Sequence, residues 1–221
     1  MKKGKTVNEI TEETLSALRE QVGKLLSPKR FYHTCKVEEM VAALSALYCP
    51  EMGMKLRAAA LLHDITKEKS TWEQAELCRT YGLPVTPADF AAPKTFHART
   101  AAAQIPVTFP EYNDPLIVSA VRWHTTGHAG MTLPEKLLYL ADYIDDSRTY
   151  RNCVLLRRFF FGAEPEKLSS EERAELLRQT LLLSYDFTIR DLLEEGTPIA
   201  EDTVRARNEL IPAEAAAKKG N

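Results

Sequence analysis

The chain has 221 residues, with 29 Lys and Arg against 31 Asp and Glu, a formal net charge of −2, and 44% hydrophobic residues. This composition predicts one globular domain with a substantial core, and the balanced charge excludes a DNA-binding arm or a polybasic membrane patch as the main feature. No apolar run exceeds five residues, whereas a membrane-spanning helix needs about 20. The basic start lacks the apolar stretch of a signal peptide. We therefore expect a cytoplasmic protein that binds neither nucleic acid nor membrane.

Apolar residues recur at helical spacing along almost the whole chain. This spacing predicts helices over residues 8–26, 30–49, 53–65 and 71–81, a loop over 83–96, and a helix that begins at His97. The stretch HTTGHAGM, residues 124–131, is predicted to be a loop. A short helix is expected within 197–221.

Capping patterns mark three further helix starts. Asp114 before Pro115 predicts a helix that ends near His124. The capping boxes that begin at Thr132 and Ser169 predict helices to about residue 146 and to residue 196. Because alternating strand patterns are absent, the sequence predicts an all-α, single-domain helical bundle. We divide it into an N-terminal helical extension (1–27), the main domain (28–212) and a frayed C-terminal tail (213–221).

Four of the five histidines lie where an apolar helix face would bury them. His33 and His124 continue apolar stripes at helical spacing. His63 follows the apolar run 58–62, and His97 stands at a helix start. A single buried imidazole needs only hydrogen-bond partners, so each alone is consistent with an ordinary core position. Four in such positions favour a shared site.

Two carboxylates strengthen this interpretation. Asp142 lies in the stretch LLYLADYI, which is apolar on all sides, and Asp64 follows an apolar run. A buried carboxylate costs several kcal/mol unless it is paired or binds a metal. The alternative is a salt bridge to Arg or Lys. A site shared with the four imidazoles suits iron, manganese or zinc better than calcium.

The ordered set of His33, the His63–Asp64 doublet and Asp142 resembles the H…HD…D signature of the HD superfamily of metal-dependent phosphohydrolases. His97 and His124 fall between the doublet and the last aspartate, as in branches of that superfamily that hold two metals. The stretches LLHDITK, WHTTG, LPEKLLYLADYID and PIAEDTVRARNEL resemble the bacterial YqeK family. Its members are described as symmetrical bis(5'-nucleosyl)-tetraphosphatases, which split diadenosine tetraphosphate into two ADP.

The resemblance implies an HD phosphohydrolase domain over residues 28–212 with two divalent or trivalent metal ions. Iron is the first expectation, and manganese and zinc are the alternatives. One metal would take His33, His63, Asp64 and Asp142. The second would take His97 and His124, with Asp64 bridging both.

Further roles follow from positions close to these ligands in the chain. Asp64 and Lys67 are the expected catalytic residues. The expected substrate contacts are Lys67, Thr126, Gly127, His128 and Arg148. The alternatives are a solvated lysine, simple turn chemistry in the HTTG loop, and an arginine that only caps a helix C-terminus.

Three functions are consistent with these residues. The first is symmetrical hydrolysis of dinucleoside polyphosphates, and the nucleotide substrate is then the main partner. The second is another HD phosphohydrolase activity, on a mononucleotide, a deoxynucleoside triphosphate or a signalling nucleotide. The third is a non-catalytic nucleotide-binding module. A homodimer is also considered, with the aromatic stretch 157–161 as its contact and ordinary core packing as the alternative.

Overall fold

The structure is a computed structural model that describes residues 9–212. Within this range the chain forms α-helices, short 3-10 helices and no strand, which confirms the predicted all-α fold. The α-helices are α1 (Glu12–Gly23), α2 (Pro28–Tyr48), α3 (Gly53–Leu62), α4 (Thr71–Thr80), α5 (Pro87–Ala91), α6 (Phe96–Thr108), α7 (Pro115–Trp123), α8 (Leu133–Ile144), α9 (Arg151–Gly162), α10 (Ser170–Glu194) and α11 (Glu201–Glu209).

The predicted caps are present where α7 and α10 begin. The Asp114 carboxylate accepts a hydrogen bond from the N–H of Leu116 at 2.9 Å. The Ser169 hydroxyl accepts from the N–H of Glu172 at 3.2 Å, and the Glu172 carboxylate accepts from the N–H of Ser169 at 2.9 Å. These bonds satisfy N–H groups that a helix start otherwise leaves unpaired. Local capping chemistry therefore determines where these helices begin.

Two helices differ from the sequence expectation. The predicted loop over 83–96 contains α5 and a 3-10 turn at Pro93–Thr95. The sequence marks no helix over α9, which has no side-chain cap at Tyr150. Its buried stripe is short: Cys153, Leu156 and Phe160. Burial of this stripe, rather than a local start signal, stabilises α9.

The main core is one continuous cluster in which α2, α3, α7 and α8 pack against one another, and a second, small cluster joins α4 to α6 through Ala75, Cys78 and Phe96. Helix α1 contributes Leu15, Leu18 and Val22 to this cluster, and all three are fully buried. They lie at positions i, i+3 and i+7, which form one face of a helix. The N-terminal helix is thus mostly exposed, but one face of it is integral to the core.

Several expectations are not decided by this fold. The division at residue 27 stays a prediction, and the expected C-terminal tail lies outside the described residues. In the stretch 157–161, Phe160 is buried in the core, whereas Phe159 and Phe161 are 40% and 37% exposed. The homodimer stays a prediction. Across residues 9–212, every helix is too short or too polar to cross a bilayer.

Leu18→Ala is expected to lower the free energy of unfolding by about 2–5 kcal/mol, because it opens a cavity where α1 meets the core. Leu25→Ala is the matched control, since Leu25 is 51% exposed and its truncation should change stability by less than about 0.5 kcal/mol. Urea denaturation followed by circular dichroism measures both. Equal midpoints for the two variants would show that α1 is dispensable to the core.

Candidate metal centre

The six predicted ligands converge on one point, although they come from five helices. His33 lies on α2, and His63 and Asp64 follow the end of α3. The other three lie in the first turn of α6, just after α7 and near the end of α8: His97, His124 and Asp142. The side chains of Asp142 and His33 are 17% and 10% exposed, and those of the other four residues are almost fully buried.

Asp64 lies at the centre of the cluster. Its Oδ2 is 3.4 Å from Nε2 of His63 and 3.8 Å from Nε2 of His33. Its Oδ1 is 3.3 Å from Nε2 of His97 and 3.8 Å from Nε2 of His124. Each carboxylate oxygen therefore faces a different pair of imidazoles. Asp142 lies beside the pair formed by His33 and His63, with its Oδ1 3.0 Å from Nε2 of His33.

Hydrogen bonds to the outer ring nitrogens orient three of the imidazoles. His63 Nδ1 donates to the carbonyl oxygen of Ala60 at 2.6 Å, and His124 Nδ1 donates to that of Val121 at 2.7 Å. These bonds leave each Nε2 lone pair directed into the cluster. The Nδ1 of His33 lies 3.0 Å from the Ser147 hydroxyl.

The donor set fits a metal ion. The Nε2 atom of His63 is buried and has no hydrogen-bond partner, a costly state that a cation would relieve. Two groups have all their donor atoms within 4.8 Å of one another: His33 with His63 and Asp64, and Asp64 with His97 and His124. Imidazole nitrogens with carboxylate oxygens suit zinc, iron or manganese.

The local electrostatics keep most of these side chains in ligand form. Burial raises the pKa of Asp64, but the surrounding imidazoles of His63, His124 and His97 outweigh burial and hold it well below its usual value. Burial lowers the pKa of His97 and of His124, which keeps both imidazoles neutral at neutral pH.

His33 is the exception. Burial lowers its pKa, but the hydrogen bonds to Asp142 and Asp145 outweigh burial and raise it to about 9. Metal binding at His33 would therefore release a proton near neutral pH.

Both carboxylates also have an arginine partner. Arg30 Nη1 is 2.8 Å from Asp64 Oδ2, and Arg148 Nη2 is 2.5 Å from Asp142 Oδ1. The salt-bridge alternative is thus present together with the imidazole cluster. Sequence reasoning missed Arg30, which lies three residues before His33 and so on the same helix face. It also missed Asp145, a fully buried carboxylate with Oδ2 3.3 Å from Nδ1 of His33.

A cleft of about 700 Å³ opens beside the cluster. On the cluster side it is lined by Lys67, His124, Thr125, Asp142 and Arg148. The outer wall comes from the start of α9 and the second half of α10, and it includes Tyr150, Arg151, Asn152, Thr188 and Arg190.

Lys67 and Arg148 both lie on this cleft. Lys67 Nζ lies 3.2 Å from Nε2 of His97, and burial lowers its pKa. Arg148 also donates to the main-chain oxygen of Asp142, so the predicted alternative of a helix C-terminal cap is realised as well.

The other three predicted substrate contacts lie elsewhere. Gly127 has φ +61°, and an added Cβ would lie 1.9 Å from the Tyr185 hydroxyl, so its role in the structure is close packing. His128 Nε2 is 3.3 Å from Glu135 Oε2. Thr126 lines a separate cavity of about 460 Å³. The structure brings none of the three to the cleft beside the cluster, and the HTTG stretch contributes His124 and Thr125 there instead.

Gly127→Ala is expected to destabilise the protein more than Gly130→Ala. Both glycines have positive φ, which costs an L-residue about 1–2 kcal/mol. Only the added methyl at position 127 meets a neighbour, so a further loss of about 1–3 kcal/mol is expected from overpacking. Urea unfolding of the two variants measures the difference. An equal loss would contradict the tight contact with Tyr185.

Comparisons with known proteins agree with this geometry. A protein from Bacillus subtilis named symmetrical bis(5'-nucleosyl)-tetraphosphatase is 28% identical over 200 residues, covering 90% of this chain and 97% of that protein. A protein of the same name from Halalkalibacterium halodurans is 29% identical over 186 residues, covering 84% and 91%.

A solved structure from Clostridium acetobutylicum, described as an HD superfamily hydrolase involved in NAD metabolism, superposes with a TM-score of 0.76. It is 27% identical, and the match covers 88% of this chain and 95% of that one. The family model described as HD domain matches residues 30–146, more than half of the 221 residues and the segment that carries all six cluster residues. The chain belongs to the HD domain family.

Proposed function

We propose that this HD-domain hydrolase cleaves diadenosine tetraphosphate and related dinucleoside polyphosphates symmetrically, releasing two ADP. The observation that carries the proposal is the central Asp64 carboxylate, whose two oxygens face separate imidazole pairs at 3.3–3.8 Å beside an open cleft. The names of the relatives from B. subtilis and H. halodurans support the choice of substrate.

In this proposal the cluster holds two metal ions, iron first, with manganese and zinc as alternatives. His33, His63 and Asp142 would hold one ion, His97 and His124 would hold the other, and Asp64 would contribute one oxygen to each. Bound metals of this kind polarise a phosphoryl oxygen and lower the pKa of an attacking water. Arg30 compensates part of the Asp64 charge and orients its carboxylate.

Cations along the cleft suit a polyphosphate chain. Lys67 and Arg148 lie next to the cluster. The rest of the lining includes Arg151, Arg190 and Lys94, which pairs with Glu195, together with the carboxylates of Asp191 and Glu194. Because a tetraphosphate carries several negative charges, contacts with successive cations would hold it along the cleft. Lys67 donates hydrogen bonds at the cluster and is placed to bind the phosphoryl group that is attacked.

The second candidate is hydrolysis of a different nucleotide. The C. acetobutylicum structure is described as a hydrolase of NAD metabolism, and NAD is likewise a dinucleotide joined through phosphates. Mononucleotides, deoxynucleoside triphosphates and signalling nucleotides belong to the same alternative. A non-catalytic nucleotide-binding module has less support, because all six donors of the cluster are present. A cytoplasmic location stays a prediction.

With iron, manganese or zinc added, the purified protein is expected to convert diadenosine tetraphosphate into ADP alone, as resolved by anion-exchange chromatography. NAD, ATP and AMP are tested in parallel at the same concentration. ATP plus AMP as products would contradict the symmetrical position of cleavage. Turnover of another nucleotide with none of diadenosine tetraphosphate would favour the second candidate.

Asp64→Ala is expected to abolish turnover, because no neighbouring carboxylate faces both imidazole pairs. Lys67→Ala and Arg148→Ala each remove one charge-assisted contact of about 1.5–3 kcal/mol, which predicts a loss of roughly 10- to 100-fold in kcat/KM. Asp146→Ala is the matched control, since the Asp146 side chain is 68% exposed. Circular dichroism checks folding. Activity of Asp64→Ala equal to that of Asp146→Ala would refute the bridging role.

A further inference from the structure

Three buried polar side chains connect the turn after Asp64 to the helix that carries His97. They are Thr66 in that turn, Gln74 on α4 and Thr100 on α6, and they are 0%, 3% and 0% exposed. We propose that this Thr66–Gln74–Thr100 triad positions His97 as a ligand of the second metal ion. The inference rests on the proposed function, in which His97, His124 and Asp64 hold that ion.

The triad is linked by a chain of hydrogen bonds. The Thr100 hydroxyl donates to Gln74 Oε1 at 2.5 Å, and Gln74 Nε2 donates to the main-chain oxygen of Thr66. The hydroxyls of Thr66 and Thr100 are in contact at 2.8 Å. Each of the three residues thus contacts the other two, so their relative positions are fixed from several directions.

Thr66 joins this network to His97, because its hydroxyl donates to the main-chain oxygen of His97 at 3.0 Å. The Thr100 hydroxyl, whose hydrogen goes to Gln74, lies 3.3 Å from the same oxygen. Thr66 is only two residues from Asp64. The triad therefore sets the distance between the backbone that carries the carboxylate and the backbone that carries this imidazole.

His97 needs this support more than the other imidazoles do. The rings of His63 and His124 are each held by a main-chain carbonyl at Nδ1. Among the described residues, the hydrogen-bond contacts of the His97 ring are instead Lys67 Nζ, Thr125 Oγ1 and His124 Nε2. These atoms all belong to side chains of the cluster and its rim. The direction of the His97 ring consequently depends on where its backbone lies.

The start of α6 has no side-chain cap. Its N-cap residue, Thr95, makes no side-chain cap hydrogen bond, whereas Phe96 is buried against Ala75 and Cys78 of α4. An uncapped helix start frays unless another group holds it. The triad adds a directional attachment at the first turn to the apolar packing of Phe96.

Packing alone does not account for the triad. An amide and two hydroxyls cost free energy to bury unless each is hydrogen-bonded, and apolar side chains of the same shape would fill the space without that requirement. Their benefit is directional, because hydrogen bonds specify one arrangement of the two segments. We therefore assign Thr66, Gln74 and Thr100 as positioning residues for His97.

Thr100→Val tests the inference, since it removes the hydroxyl and keeps the shape. Binding of Mn²⁺ to metal-free protein, by equilibrium dialysis with metal analysis, gives the number of ions per chain and their affinities. Wild type is expected to bind two. In Thr100→Val the affinity for one ion should fall about 10- to 100-fold, the usual cost of losing a residue that orients a ligand, while the affinity for the other is unchanged. Thr100→Ser, which keeps the hydroxyl, should restore both.

Thr180→Val is the matched control. Thr180 is also fully buried, and its hydroxyl donates to the Leu176 carbonyl within α10. This variant should bind two ions with wild-type affinities even though its melting temperature falls. Thr66→Val removes the hydroxyl that contacts the His97 carbonyl, and it should weaken the binding of the same ion as Thr100→Val does. If Thr100→Val does not fold, Thr66→Val tests the inference in its place.

The outcomes separate this inference from the proposed function. If wild type binds two ions and both valine variants bind two with unchanged affinities, the triad is only structural and the inference is overturned. Equal weakening of both ions in Thr100→Val and Thr180→Val would overturn it as well. If wild type binds fewer than two ions, the two-metal proposal itself fails, and the inference fails with it.

Discussion

The burial of the Asp64 carboxylate is the constraint on which the rest of the centre depends. A carboxylate removed from water costs several kcal/mol unless neighbours compensate it. Here the compensation comes from all sides, with imidazole nitrogens at 3.3–3.8 Å from its two oxygens and Arg30 at 2.8 Å. A substitution at this position changes the charge balance of the whole cluster, and so the cluster behaves as one unit rather than as six independent side chains.

Two of the imidazoles that surround Asp64 are placed there by the ends of helices. His63 follows the last residue of α3 and His124 follows the last residue of α7. In both, the ring reaches back to a carbonyl three residues earlier, one of the acceptors that a helix end leaves free. The same local geometry thus appears twice, and it points two Nε2 atoms at Asp64 without help from distant residues.

The sequence is informative about the ligands because they interrupt apolar patterns. His33 and Asp142 stand out as polar residues at positions where the helical period predicts burial. The charged partners of these ligands cannot be recognised in the sequence, for the opposite reason. Arg30 and Asp145 look like ordinary charged residues near a helix end, and only the assembled fold brings them beside the cluster. Gly127 shows a different limit, since its close contact is with Tyr185, 58 positions later in the chain, and no local pattern encodes that distance.

The contact between Gly127 and Tyr185 also shows which parts of the chain fold together as one unit. The HD domain match ends at residue 146, yet the buried core runs from Leu15 to Ala206 as one cluster. Tyr185 closes over the loop that follows His124, and α10 supplies a wall of the cleft. The matched segment is therefore not a module that recombination could move alone into another protein. A viable fusion or permutation would have to keep α1 and α10 with it, because both complete the same core.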